Sequence, residues 1–178
     1  MNAIIEPTEI ERYTNLVHEM MLSETSRECE FKPEWIRNRG WKVVPVEDSG
    51  HFSPGEIATL LRVLCRAGYR ECVAVATQDV APDGLPCYRV SLTEADLLSF
   101  NWECGPLRYL LTTEDRGWAI SCNEWYNLFA GKPEMLEELL GQSVDDARQE
   151  FLEYASLLAS GMNPDEHFLQ VANHYASI

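Results

Sequence analysis

The stretch from Trp41 to Ala76 reads WKVVPVEDSGHFSPGEIATLLRVLCRAGYRECVAVA and decides the fold. Its first six residues are rich in valine, which predicts a strand, and Pro45 places that strand at a sheet edge or strand end. Ser53-Pro-Gly-Glu56 supplies a helix N-cap, a proline at the first helical position and the acid of a capping box. Cys72–Ala76 is an apolar run typical of a strand covered on both faces. Strand, helix and strand together predict one right-handed βαβ crossover.

The chain on either side continues the alternation of strands and helices. An amphipathic spacing predicts an N-terminal helix from about Thr8 to Glu24, with Thr8 and Glu11 as its capping box. Further strands are predicted at Cys87–Ser91, Tyr109–Thr112, Trp118–Cys122 and Tyr126–Ala130, the last three as a β-meander. Further helices are predicted at Trp35–Arg39, Leu92–Phe100, Pro133–Leu140, Val144–Ala159 and Pro164–Ala176.

These elements predict a single α+β domain over residues 1–178. Its sheet is expected to be mixed, with about five or six strands, one βαβ crossover and a β-meander, flanked by an N-terminal helix and C-terminal helices. A chain of this length can bury a sizeable core without a disulfide or a structural metal.

Charge is the unusual feature of the composition. The 178 residues include 29 acidic and 14 basic side chains, which gives a net charge of −15. Residues 132–166 contain nine of the acidic side chains and only two of the basic ones. Such a field repels nucleic acid and anionic lipid and favours a basic protein partner. The N-terminus has no basic or apolar signal region, and no apolar run approaches the roughly 20 residues of a membrane span. We therefore expect a cytoplasmic protein that binds neither nucleic acid nor membrane.

Motifs that carry chemistry are missing from the sequence. There is no GxGxxG, GxxxxGK[ST] or GxSxG pattern and no close CxxC pair. His167 and His174 are seven residues apart, too far for the i, i+4 pair of zinc enzymes. We assign no catalytic residue, metal or cofactor. Cys87 and Cys104 are expected to be the more exposed thiols.

The predicted helix Val144–Ala159 carries the candidate binding residues. Asp145, Asp146, Glu150 and Glu153 fall opposite its apolar stripe, and two interpretations stay open: a solvated face, or a docking face for a basic protein. Trp102 and Trp125 lie in predicted loops and are further candidates for partner contact. By contrast, Trp41 and Trp118 open strands, where an aromatic side chain usually belongs to the core.

The order of elements after Trp41 resembles a known group of proteins. Tyr109-Leu-Leu, Gly117-Trp-Ala-Ile-Ser-Cys122, Tyr126-Asn-Leu-Phe-Ala-Gly131 and the acidic helix with Phe151-Leu-Glu-Tyr-Ala155 resemble small bacterial proteins. That group includes immunity proteins, which neutralise toxins in interbacterial competition. The resemblance covers roughly residues 41–156. Its motifs are hydrophobic and structural, so it implies a fold and a binding role but transfers no catalytic residue.

Three hypotheses follow from the sequence. The first is a non-enzymatic immunity-type protein, monomer or homodimer, that binds a basic toxin domain through its acidic surface. The second is a small-molecule hydrolase or transferase with its site around the 79–87 and 102–104 loops. Its candidate residues are Asp79, Asp83, Cys87, Trp102, Glu103 and Cys104. The third is an oligomeric scaffold whose seam is formed by Phe168, Val171 and Tyr175 of the last helix.

Overall fold

The computed structural model of the chain describes residues 1–22, 30–47, 51–77, 86–104, 108–160 and 166–177. Its helices are α1 (Pro7–Met20), α2 (Pro33–Asn38), α3 (Pro54–Arg66), α4 (Glu94–Cys104), α5 (Pro133–Leu140), α6 (Val144–Ala159) and α7 (His167–Ala176). Its strands are β1 (Asn2–Ala3), β2 (Lys42–Glu47), β3 (Glu71–Ala76), β4 (Cys87–Ser91), β5 (Tyr109–Thr112), β6 (Ala119–Cys122) and β7 (Tyr126–Gly131). The predicted α+β class is confirmed.

The strands form one sheet in the order β1-β4-β3-β5-β6-β7-β2. The meander β5-β6-β7 is confirmed. Within the described residues every strand pairs antiparallel with its neighbours, so the expectation of a mixed sheet was wrong. In the described part of the chain the sheet also has seven strands instead of five or six. The strand that was not predicted is β1, whose two residues are too short to leave a pattern in the sequence.

The predicted βαβ crossover is present in a split form. Strands β2 and β3 point in the same direction, but β5, β6 and β7 lie between them. Helix α3 therefore connects two strands that never pair. The strands that separate them come from later in the chain, and local pattern does not reveal such long-range insertion.

Strand β2 is an edge strand, as Pro45 predicted. Helix α6 covers that edge, and the Nε of Arg148 donates a hydrogen bond of 3.0 Å to the carbonyl oxygen of Val43. This contact satisfies a backbone acceptor that has no neighbouring strand. At Val43 this edge is therefore occupied by a contact within the chain.

Helices cover both faces of the sheet. Leu60 of α3 and Leu97 of α4 line a small apolar cavity together with Ile120 of β6. On the opposite face, Phe168 of α7 packs edge-to-face on Tyr126 of β7, with ring centroids 5.7 Å apart. One continuous apolar core links these layers and extends from Ile4 to Tyr175.

Of the two predicted capping boxes, the structure contains the one at Ser53 and not the one at Thr8. The Ser53 capping box is present in both directions, with Ser53 N donating to Glu56 Oε2 at 2.7 Å. Helix α1 instead begins at Pro7, with Glu6 at the N-cap and no side-chain cap, so the predicted Thr8–Glu11 box was wrong. Trp41 and Trp118 are buried, as expected.

The last helix belongs to the core of its own chain. Phe168, Val171 and Tyr175 are 7%, 1% and 0% exposed, and the Tyr175 hydroxyl accepts a 3.0 Å hydrogen bond from the backbone N–H of Phe31. The hypothesis that they form an oligomer seam is therefore wrong. The predicted start of this helix at Pro164 lies outside the described residues.

Candidate functional site

Helix α6 presents one buried and one solvent-facing side. Ser143 caps its N-terminus by accepting a hydrogen bond of 3.1 Å from the backbone N–H of Asp146. Val144, Ala147, Phe151 and Ala155 are buried. The four predicted carboxylates Asp145, Asp146, Glu150 and Glu153 are all exposed, and we call them the acidic side of α6. Leu157, 72% exposed, continues their row at helical spacing.

The carboxylates on the acidic side of α6 keep most of their charge: Arg148 of the same helix interacts electrostatically with Asp145, but its Nε bonds to the edge of β2. Its side-chain hydrogen bonds come from uncharged donors: Ser143 to Asp146 at 2.7 Å, Gln142 to Glu150 at 2.7 Å and Gln149 to Glu153 at 3.1 Å. The ion pairs among the described residues include none of the four carboxylates. Their field is therefore open to a cationic partner.

Elsewhere on the molecule, acids are paired with bases. Glu114 accepts hydrogen bonds from Tyr13 at 2.7 Å and from Arg12 at 2.8 Å, and Arg89 binds Glu9 at 2.9 Å. The hydrogen bond from Tyr13, with the charges of Arg12 and Arg89, lowers the pKa of Glu114 against the opposing effect of burial. These ion pairs tie α1 to the sheet. On α6, by contrast, four carboxylates that form no ion pair among the described residues lie on one side of a single helix.

A cleft of about 310 Å³ lies beside the acidic side of α6, between α3, α5, α6 and the end of β2. Carboxylates on three different elements line it, together with three aromatic rings and several aliphatic side chains. These residues are Glu47, Glu56, Glu150, Phe129, Phe151 and Tyr154. Glu150 belongs both to the cleft and to the acidic side of α6, so the two features form one surface.

The polar groups of the cleft have distinct surroundings. Glu56 is held by the capping box of α3, which leaves one of its oxygens for other contacts. Burial raises the pKa of Tyr154, and the charge of Glu47 adds to the effect. Among the residues that the structure describes, no basic side chain lines the cleft. The arrangement combines negative charge with an apolar, aromatic floor.

The two candidate tryptophans lie in different places. Trp125, 54% exposed, directly precedes Tyr126, which pairs with Glu47 at the cleft end of β2. Trp102, 83% exposed, lies in α4 and not in a loop as predicted. Helix α4 leads into β5, which is three strands away from β2. Trp125 therefore adjoins the end of β7 that pairs with the cleft end of β2, whereas neither Trp125 nor Trp102 lines the cleft.

The cysteines proposed for the alternative site around the 79–87 and 102–104 loops are buried. Residues 78–85, which include Asp79 and Asp83, lie outside the described part of the chain. Cys87 and Cys104 are 2% and 0% exposed, so the expectation that they are accessible was wrong. Burial raises the pKa of each to about 11. Such thiols stay protonated near neutral pH and are poor nucleophiles.

The sequence indicates the acidic residues of α6 but not the other residues that line the cleft. Glu47 ends a strand and Glu56 serves as a helix cap, so each has a complete local explanation. No periodicity connects them with Glu150, since they meet only through the packing of α3 and α6 around β2.

Two further features bear on the class of site. In the described ranges, no helix is both long and apolar enough to cross a membrane. The same residues contain no group of three or more His, Cys, Asp or Glu side chains that could hold a metal ion. Comparisons of the chain with models of protein families, with curated proteins and with solved structures found no match.

Proposed function

We propose that this chain is a non-enzymatic, cytoplasmic protein of the immunity type, which neutralises a basic toxin domain by binding it through the acidic side of α6. The observation that carries the proposal is the open charge of this side: four exposed carboxylates, none of which forms an ion pair among the described residues. Toxins that act on nucleic acid need basic surfaces, and an acidic protein binds such surfaces rapidly.

The rigidity of the acidic side supports the proposal. Helix α6 is anchored by its buried side chains and by the contact of Arg148 with β2, so its carboxylates project from a fixed frame. Exposed Leu157 offers apolar contact at the end of the same row. Fixed charge beside apolar surface is typical of interfaces that combine fast association with specific packing.

Charge reversal tests the proposal. The partner is first isolated from the native cell by cross-linking to the wild-type chain. The variant Asp145→Lys/Asp146→Lys/Glu150→Lys/Glu153→Lys, which moves the net charge from −15 to −7, is then compared with the wild type. We expect its association rate constant to fall by about tenfold or more at low salt. In 1 M salt the two rates should converge, because the Debye length is then about 3 Å.

A matched variant separates the acidic side of α6 from total charge. Glu11, Glu34, Glu94 and Glu103 are exposed, belong to no ion pair of the described residues and lie in α1, α2 and α4. Their reversal to lysine gives the same net charge and should slow association much less. Equal slowing in both variants, or none in the α6 variant, would contradict the proposal.

A further inference from the structure

The cleft beside α6 is shaped to bind a group and not merely to attract one. Its volume of about 310 Å³ is at the small end of the range for ligand pockets in proteins, about 300–1,000 Å³. A long side chain with its neighbours fits such a space, whereas a folded domain does not. The cleft can therefore serve as the anchoring point within a larger protein interface.

The walls of the cleft define the chemistry of its occupant. Aliphatic side chains and the buried rings of Phe129 and Phe151 can pack against an apolar stem, and the partly exposed ring of Tyr154 can stack on a planar cation. Glu47, Glu56 and Glu150 approach from β2, α3 and α6 and supply carboxylate acceptors in different directions. An occupant with an apolar stem and a cationic head satisfies both sets of walls.

Arginine fits these walls better than lysine. Its planar guanidinium is weakly hydrated, stacks on aromatic rings and can bond several carboxylates at once, while a lysine ammonium is compact and strongly hydrated. A second copy of this chain is a poor occupant, because both copies carry a charge of −15. We infer that the cleft receives an arginine side chain of the basic partner, an inference that rests on the proposed function.

The arginine site can be tested without the partner. The ¹⁵N-labelled full chain is titrated with the peptide Ac-Gly-Leu-Arg-Leu-Gly-NH₂ and with versions that carry lysine or citrulline, the neutral isostere of arginine. We expect shift changes at backbone amides around the cleft, including Val46, Leu60 and Phe151. The arginine peptide should bind at least about tenfold more tightly than the citrulline peptide, as is typical for hydrogen bonds to charged groups. The affinity of the lysine peptide should lie between those of the arginine and citrulline peptides.

Conservative variants locate the binding. The variant Glu47→Gln/Glu150→Gln keeps the shape of the cleft and should lower the affinity for the arginine peptide by about tenfold. Glu34→Gln/Glu94→Gln changes the net charge equally at remote exposed positions and should alter binding by less than about twofold. Shift changes away from the cleft, equal effects in the two variants or equal binding of citrulline would overturn the inference.

The two proposals can fail separately. If the arginine peptide binds the cleft but charge reversal on α6 leaves association with the partner unchanged, the arginine site stands and the proposed function fails. If charge reversal slows association but the peptide does not bind the cleft, the proposed function stands and the arginine site is overturned.

Discussion

Burial controls the reactivity of individual thiols in this protein. Cys87 and Cys104 are buried with pKa values raised to about 11, whereas Cys65 is half-buried. At pH 8 the two buried residues hold about a hundredfold less thiolate than a thiol with its ordinary pKa. We expect iodoacetamide to modify Cys65 well before either of them in the native protein, as followed by peptide mass mapping.

Unfolding provides the control for this prediction. In urea all three thiols should react at similar rates, because burial no longer separates them. If Cys87 or Cys104 reacts as fast as Cys65 in the folded chain, the burial described above is wrong and a thiol nucleophile returns as a possibility.

Helix α5 ends at a glycine that the backbone requires. Gly141 has φ +72°, in the left-handed region, and its N–H bonds to the carbonyl oxygen of Glu137 at 2.9 Å. A Cβ placed there would meet nothing within 4 Å, so substitution changes only backbone strain. We expect Gly141→Ala to lower the free energy of unfolding by about 1 kcal/mol, measured by urea denaturation.

Gly55 offers the matched control within the same sheet-covering layer. It lies in the first turn of α3 without a left-handed φ, and a Cβ there would make only ordinary contact with Ser53. Gly55→Ala should leave stability unchanged or raise it by up to about 1 kcal/mol. Equal losses in the two variants would show that the left-handed conformation of Gly141 is not what costs stability.

At the scale of the whole molecule, we expect buried cysteine and tyrosine side chains to make the stability of the fold sensitive to alkaline pH. Burial raises the pKa of Cys72 to about 12 and also raises that of Tyr109 and Tyr175. The ordinary pKa is 9.0 for cysteine and 10.0 for tyrosine. At a pH between the ordinary and the raised pKa of such a group, the folded state binds more protons than the unfolded state. The free energy of unfolding therefore falls as the pH rises through this range.

Urea denaturation at pH 7.5 and pH 10.5 measures this effect. We expect full stability at pH 7.5 and a clear loss at pH 10.5, at constant ionic strength and with reductant. Cys87→Ala should lose less between the two values, because it removes one of the groups whose pKa is raised. If the wild-type chain is equally stable at both pH values, the raised pKa values of the folded state are contradicted.

Local signals in the sequence determined the elements and the position of the acids. The bounds of α6, Val144–Ala159, follow from the spacing of its apolar residues. The capping box of α3 is encoded within four residues, and Pro45 identified the edge strand because it lacks a backbone donor. Each of these signals acts between neighbours in the chain, so it is readable without the fold.

Tertiary structure alone decided the order of the strands, the cleft and the burial of two thiols. Strands β2 and β3 point in the same direction but do not pair, because the later meander inserts between them. Glu47, Glu56 and Glu150 meet only when α3 and α6 pack around the end of β2. Such contacts join residues far apart in the chain, and their free energy depends on how whole elements pack. Sequence patterns report which side of an element is apolar, but not which other element will cover it.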